Sequence, residues 1–263
     1  MSDHKRPPEA EPAQPCKAQR SAPPVASAAS VRLAADALSA EAALASYVER
    51  PLPEHVAKSF RSYLASRPTW PDTEHLHPME ATHDRIAIID FSRGDTLDSA
   101  IGYGRNLPPR HSAAPAGAAI AHVLSVLPSE LATVATLDAI ALLDALRRET
   151  GRMQYILRLE LVLGDTCRRW HRDLNICRCI VTYGGPGTEV AHEDGVTREA
   201  DGSVSAVDEE RVLRLGSGAF LLMKGGLWPG SDGGAAHRAP AIGPVPTCDT
   251  HRLLLKVDVS EDF

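Results

Sequence analysis

The sequence contains no long apolar run. No stretch approaches the roughly 20 apolar residues that a membrane-spanning helix needs, and Asp138 and Asp144 interrupt the longest apolar region, near residues 131–146. The chain also lacks an excess of positive charge, since 28 Lys and Arg residues stand against 34 Asp and Glu residues, a net charge of -6 at pH 7. Because nucleic acids and anionic membranes bind basic surfaces, we expect neither as a partner.

The N-terminal segment lacks the apolar core of a signal peptide. Residues 1–30 contain six prolines among mixed charges, so we predict a disordered tail and expect a cytoplasmic location. Five cysteines in such a chain indicate free thiols or metal ligands rather than disulfides. They are Cys16, Cys167, Cys177, Cys179 and Cys248.

Residues 31–150 are predicted to form a mainly helical region. Helical periodicity runs from the start of this region until Pro51 stops it, and further helices are predicted over 54–65 and 130–150. One apolar run, residues 85–91, has the length of a strand.

Residues 151–263 change to the pattern of β structure. Apolar and polar residues alternate, and short strands are separated by Gly and Pro turns, which is typical of an all-β sandwich or barrel. The predicted strands are 153–163, 176–183, 211–215, 219–223 and 252–259.

The segment between the first two of these strands carries the candidate chemistry. His171 and Asp173 lie two residues apart, so in extended backbone both side chains point the same way. His237, before the last predicted strand, offers a third ligand. Two histidines and one carboxylate leave further coordination positions open, as in the facial triad of non-haem iron(II) oxygenases. The sequence therefore predicts a metal site formed by these three residues.

The order of these motifs resembles that of the double-stranded β-helix oxygenases that use 2-oxoglutarate. The resemblance implies an α+β fold, with the helical N-terminal part packed on a C-terminal double-stranded β-helix (jelly-roll or cupin-like) that binds the metal. It implies Fe(II) and 2-oxoglutarate as cofactors, and it puts Arg252 where the partner of the cosubstrate carboxylate is expected. The planar guanidinium of arginine suits bidentate carboxylate binding.

Further residues complete the predicted pocket. We predict that Trp170 and Trp228 act with Arg252 at the reaction site and cover the substrate. Tyr183 and Lys224 join Arg252 as candidates for holding the cosubstrate. The substrate, a small molecule or another molecule, and the oligomeric state do not follow from the sequence.

A second resemblance rests on five segments taken together. They are Cys167–Asp173, Thr182–Glu189, Met223–Gly230, Ala236–Pro240 and Arg252–Leu255. They resemble a bacterial family known as domain of unknown function 1826, over about residues 150–260 with looser helical similarity before them. The chain departs from the family at Val190, where an aromatic residue is expected. The family name implies no established activity.

Two other functions remain open, and with them the question of whether the chain is an enzyme. Cys167 is a candidate further ligand, and with His171, Cys177 and Cys179 it could build a closed zinc site in a metal-homeostasis protein without catalysis. The other alternative is a non-catalytic β-sandwich binding module whose histidines are structural.

Overall fold

The structure of the protein is a computed structural model. It describes residues 25–39, 43–66, 68, 70, 82–91, 116–164, 167–230, 233–241 and 251–259. The helices are α1 (Val31–Ser39), α2 (Glu54–Ala65), α3 (Ala116–Leu124) and α4 (Ser129–Thr150). The strands are β1 (Val25–Ser27), β2 (Ala45–Val48), β3 (Thr82–Asp90), β4 (Gln154–Val162), β5 (Cys177–Gly184), β6 (Glu189–Ala191), β7 (Val196–Arg198), β8 (Val204–Val207), β9 (Val212–Arg214), β10 (Phe220–Lys224), β11 (His237–Arg238) and β12 (Arg252–Val259).

The described strands form a large sheet, a small sheet and a hairpin. The large sheet has the order β1-β2-β10-β5-β12-β4-β3, and its neighbours are antiparallel except for the parallel pair β1 and β2. The small sheet has the order β11-β6-β9, and β7 pairs with β8. The large and small sheets together make a double-stranded β-helix, so the protein has the predicted α+β fold.

Two apolar clusters pack against the two faces of the large sheet, one on each face. The larger cluster lies between this sheet and the helices and includes Leu142 of α4 and Leu157 of β4, both fully buried. The smaller cluster lies between the two sheets and includes Val190 of β6 and Leu254 of β12. Because side chains alternate along a strand, strands such as β5 and β12 contribute one set of residues to the helices and another to the space between the sheets.

A buried carboxylate interrupts the apolar face of α4. Asp138 is 4% exposed and accepts two hydrogen bonds from Arg50, at 2.5 and 2.8 Å, and one from the Tyr183 hydroxyl at 3.0 Å. A buried charge requires such partners. Asp138, which interrupts the apolar run in the sequence, therefore links α4 to the large sheet through polar contacts. The helix ends as predicted at Gly151, whose φ of 62° is the left-handed conformation of many helix ends.

Several sequence predictions agree with the structure. The helix predicted over 54–65 is α2, the strand predicted over 252–259 is β12, and the apolar run at 85–91 lies in β3 apart from its last residue. In the described part of the chain, no helix is both long and apolar enough to cross a membrane.

The N-terminal half contributes strands to the large sheet as well as helices. The helical run predicted to reach Pro51 ends at Ser39, because residues 45–48 instead pair with β10 as β2. Of the predicted disordered tail, residues 25–27 form β1, and residues 1–24 lie outside the described residues. Strands from both sides of residue 150 therefore share one sheet, and the predicted boundary there does not separate two independent layers.

Candidate metal centre and cavity

A backbone bridge brings the two candidate histidines together. The His171 amide donates to the His237 carbonyl at 3.1 Å, and the His237 amide donates to the His171 carbonyl at 2.9 Å. Their ring centroids are 4.4 Å apart. The Asp173 carboxylate lies beside both rings, with Oδ2 3.3 Å from His237 Nε2 and Oδ1 3.9 Å from His171 Nε2. One potential ligand atom from each of the three residues lies within 4.8 Å of the others.

Both imidazole rings are oriented by the same kind of contact. His171 Nδ1 lies 2.8 Å from the Arg169 carbonyl oxygen, and His237 Nδ1 lies 3.1 Å from the Ala235 carbonyl oxygen. A carbonyl only accepts, so Nδ1 is the donor in each of these contacts, and Nε2 is the nitrogen that faces Asp173 in both rings. Backbone or carboxylate partners of this kind usually orient metal-binding histidines.

The local charges favour the protonation states that a metal requires. Burial raises the pKa of Asp173, but the hydrogen bond from His237 and the charges of His237 and Arg178 lower it more, so the carboxylate is ionised at neutral pH. Burial and the nearby His237 lower the pKa of His171 below its ordinary value. His171 is therefore a neutral imidazole at neutral pH. A carboxylate and neutral imidazoles are the states that bind metals.

Arg178 contacts the candidate ligand carboxylate from β5. Its Nη1 donates to Asp173 Oδ2 at 2.8 Å, and its Nε and Nη2 donate to the two oxygens of Asp258 on β12 at 2.5 and 2.9 Å. Sequence reasoning did not select Arg178 as a site residue. The signal was present, since a single arginine stands between two cysteines in an otherwise apolar strand.

The two histidines line a cavity of about 200 Å³ that also contains Arg252. Arg252 is 3% exposed, and its Nε and Nη2 donate to the Pro186 carbonyl at 2.8 Å and to the Thr188 hydroxyl at 3.0 Å. Burial lowers the pKa of Arg252 to about 10, so the guanidinium stays charged at neutral pH. No carboxylate of a described residue lies within 4.0 Å of its nitrogens.

The remaining lysine and arginine side chains in the described wall of the cavity each contact at least one carboxylate. These pairs are Arg158 with Asp84 and Glu160, Lys256 with Glu160, Arg178 with Asp173 and Asp258, and Arg238 with Glu189 and Glu209. Among the described residues, Arg252 is thus a buried cation of this wall with no carboxylate partner, and the cavity can accept an anion there.

Three predicted pocket residues lie away from the cavity in the structure. Tyr183 packs in the cluster under the helices, stacked on Phe60 with ring centroids 4.7 Å apart. Trp228 packs against the same cluster, and the Lys224 ammonium lies 5.3 Å from the centre of its ring. None of the three lines the cavity that holds the histidines and Arg252. The structure therefore places them on the other face of the large sheet.

Trp170 lies beside the cavity wall rather than in it. The Arg238 guanidinium carbon is 4.3 Å from the centre of the Trp170 ring, and Arg238 itself lines the cavity. The same arginine follows His237 on β11. Trp170 therefore supports the wall through a cation–π contact with Arg238.

The cysteines do not assemble the zinc site considered from the sequence. Cys177 and Cys179 are fully buried under the helices, whereas Arg178 between them faces the cavity. Burial raises the pKa of both thiols. Cys167 lines the cavity, but among the described residues it is not a member of the ligand cluster of His171, Asp173 and His237. The alternation of β5 thus prevents the four predicted zinc ligands from meeting.

Comparison with solved structures finds similar folds at low sequence identity. A prolyl-4-hydroxylase from Pseudomonas putida is 11% identical, with a TM-score of 0.45 over 89% of this chain and 100% of that chain. A full-length protein from Neurospora crassa, solved in complex with alpha-KG, is 13% identical, with a TM-score of 0.40 over 88% of this chain and 77% of that chain. A bsmA homolog from Methylobium petroleophilum is 14% identical, with a TM-score of 0.42 over 88% and 94%. These similarities do not by themselves assign an activity to the chain.

Sequence comparison identifies the family. No curated protein matches the chain significantly. Residues 97–258 match the family described as "Protein of unknown function (DUF1826)". This segment is more than half of the chain and includes the bridge between His171 and His237, the Arg178 contact and the cavity arginine. The chain belongs to the DUF1826 family.

Proposed function

We propose that the protein is a metal-dependent oxygenase of the non-haem Fe(II)/2-oxoglutarate type. His171, Asp173 and His237 would hold the iron, and Arg252 would hold the distal carboxylate of 2-oxoglutarate. One observation carries this proposal: the Nε2 atoms of two histidines converge with the Asp173 carboxylate, and the same histidines line a cavity that contains a buried arginine with no carboxylate partner among the described residues.

The donor set suits a divalent metal. Two imidazole nitrogens and a carboxylate oxygen converge, and once both Nε2 atoms are deprotonated all three are acceptors that a cation would hold together. Two imidazoles and one carboxylate with open positions favour iron(II), whereas thiolates would favour zinc. No cysteine belongs to the ligand cluster of the described residues.

The charge of the cavity suits a dianionic cosubstrate. Asp173 and Asp258 together carry two negative charges, and Arg178 compensates one of them. A divalent metal beside Asp173 would therefore leave one excess positive charge, and Arg252 adds a second. A dicarboxylate would neutralise both charges. The guanidinium of Arg252 is already fixed by Pro186 and Thr188, so less rotational freedom would be lost on binding.

The metal and the 2-oxo acid would supply the oxidative chemistry. When bound, they would supply the activation of O2 that converts 2-oxoglutarate to succinate and CO2, with one oxygen atom going to succinate and the other to the substrate. The protein's own residues bind and orient. The carbonyls of Arg169 and Ala235 fix the two rings, and Arg252 fixes the far end of the cosubstrate. Arg238, supported by Trp170, forms the wall beside His237, where a substrate would enter.

Metal content tests the first part of this proposal. The protein is purified anaerobically without a metal-affinity tag and analysed by elemental mass spectrometry, beside a His171→Ala/Asp173→Ala double variant. His192→Ala is the control, because it removes an imidazole outside the ligand cluster of the described residues. We expect near-stoichiometric iron in the wild type and in the control, and loss of iron in the double variant. Tight zinc that resists chelation would support a non-catalytic role.

Turnover of 2-oxoglutarate tests the second part. Iron-loaded protein is supplied with 2-oxoglutarate and O2, and succinate is measured with and without candidate substrates. We expect slow succinate formation even without a substrate, and none in the double variant. Absence of bound metal after reconstitution would show that the histidines are structural and would end the enzyme hypothesis.

A further inference from the structure

One arginine connects the candidate metal ligand to the sheet. Arg178 donates from Nη1 to Asp173 and, from its other two nitrogens, to Asp258. We infer that Arg178 is a positioning residue of the metal centre, which binds Asp173 Oδ2 and so presents Oδ1 to the metal. This inference rests on the metal site of the proposed function and adds a determinant of its affinity and geometry.

The two oxygens of Asp173 have different surroundings. Oδ2 accepts from Arg178 at 2.8 Å and lies 3.3 Å from His237 Nε2. Oδ1 lies 3.9 Å from His171 Nε2 and accepts no hydrogen bond from a described residue. A lone pair of Oδ1 is therefore available on the side of the histidines, and the guanidinium opposes coordination through both oxygens.

The guanidinium is itself held in place. Arg178 and Asp258 face each other directly across the antiparallel pair β5 and β12. Their contact is bidentate, Asp258 is 4% exposed, and the Arg178 side chain is 19% exposed. A planar guanidinium can satisfy two carboxylates at once, whereas a lysine ammonium is a single flexible point charge. The sheet therefore fixes the orientation of Asp173 through Arg178.

The positive charge of Arg178 does not cancel the ligand charge. Asp258, Arg178 and Asp173 sum to one negative charge, the charge of a single ligand carboxylate. Asp258 thus neutralises the arginine that orients Asp173. The metal would experience the electrostatic field of a carboxylate but with a fixed geometry. Partners that orient metal ligands typically contribute 10–100-fold to metal affinity.

Metal affinity tests this role without depending on turnover. Cobalt(II) binding to the metal-free protein is measured by competition with a chelator, and the visible spectrum of the cobalt protein is recorded. The variants are Arg178→Gln and Arg178→Lys. Arg50→Gln is the matched control, since it breaks another bidentate contact between an arginine and a buried aspartate, under the helices.

We expect Arg178→Gln to weaken cobalt affinity about 10- to 100-fold and to change the visible spectrum. Arg178→Lys should recover part of the affinity. Arg50→Gln should lower thermal stability and leave affinity and spectrum unchanged. If Arg178→Gln fails to fold, Asp258→Asn is used, which keeps the contact between Arg178 and Asp173 but removes the charge that neutralises Arg178, so cobalt affinity should also fall.

The outcomes separate this inference from the proposed function. Unchanged affinity and spectrum in folded Arg178→Gln, or in Asp258→Asn where that variant replaces it, would overturn the positioning role. A wild-type protein that binds metal but never turns over 2-oxoglutarate would refute the oxygenase, while a loss of affinity in Arg178→Gln would still support the inference. A wild-type protein that binds no metal would overturn both.

Discussion

Replacing the buried cavity arginine should stabilise the metal-free protein. Burial lowers the pKa of Arg252 from its ordinary value above 12 to about 10. At about 1.4 kcal/mol per pH unit, keeping the guanidinium charged costs the folded protein about 3 kcal/mol. Because the folded pKa is the lower one, this cost is fully present below about pH 10 and is relieved only at more alkaline pH. Arg252→Gln removes it.

The opposing effect of the substitution is smaller. A glutamine amide can keep one of the two hydrogen bonds, and the lost bond to Thr188 contributes about 1 kcal/mol. The free energy of unfolding should therefore rise by about 2 kcal/mol, as measured by urea denaturation of metal-free protein at pH 7.5. Arg50→Gln, which leaves Asp138 buried without its ion pair, should change stability in the opposite direction.

The same substitution should remove the response to the cosubstrate. A ligand that binds only the folded state raises its stability by mass action, so 2-oxoglutarate with a divalent metal should stabilise the wild type and not Arg252→Gln. A destabilisation of about 2 kcal/mol or more in Arg252→Gln would refute the reasoning, because it would mean that the guanidinium has an anionic partner within the protein.

Three further predictions follow from the described contacts. Tyr183→Phe should lower the free energy of unfolding by about 1–2 kcal/mol, since it deletes the hydrogen bond to Asp138, and equal cobalt affinity would check that Tyr183 lies outside the metal site. Metal affinity measured by calorimetry should fall in acid, once pH drops below the lowered pKa of His171, because the protonated ring cannot bind metal; an affinity that does not fall before the protein unfolds in acid would contradict His171 as a ligand. Leu157→Ala should cost about 2–5 kcal/mol in thermal or urea unfolding, because the side chain is fully buried under the helices, and a cost under about 1 kcal/mol would contradict that packing.

The candidate metal ligands could be predicted because two of them are close in the sequence and the third has a recognisable position in the order of strands. His171 and Asp173 share one face through their spacing alone. His237 was selected from its position before the last predicted strand. In the structure, a backbone bridge holds it beside His171. The same order identified Arg252, whose cavity position depends only on its being the first residue of β12.

The face of the sheet on which Tyr183 and Lys224 lie could not be predicted from the sequence. Both faces of β5 and β10 are buried and mostly apolar, so polar alternation is weak and is limited in β5 to Arg178 and Thr182 on one face. Lys224 was selected because it lies on the approach to His237 in the sequence, and both Tyr183 and Lys224 lie on the face under the helices. The strand β2 was missed because its pairing with β10 joins residues far apart in the chain, and short-range periodicity does not report such contacts.

The position of β12 between β5 and β4 in the large sheet has a consequence for folding during synthesis on the ribosome. This strand alone joins β5 to β4, and so connects the strands β1, β2, β10 and β5 to the pair β4 and β3. Until residues 252–259 have left the exit tunnel, both groups expose an unpaired edge, and such edges are prone to pair with other chains. Release of the last strand should therefore be the event that closes the sheet, and nascent chains halted before residue 252 should depend on chaperones to stay unaggregated.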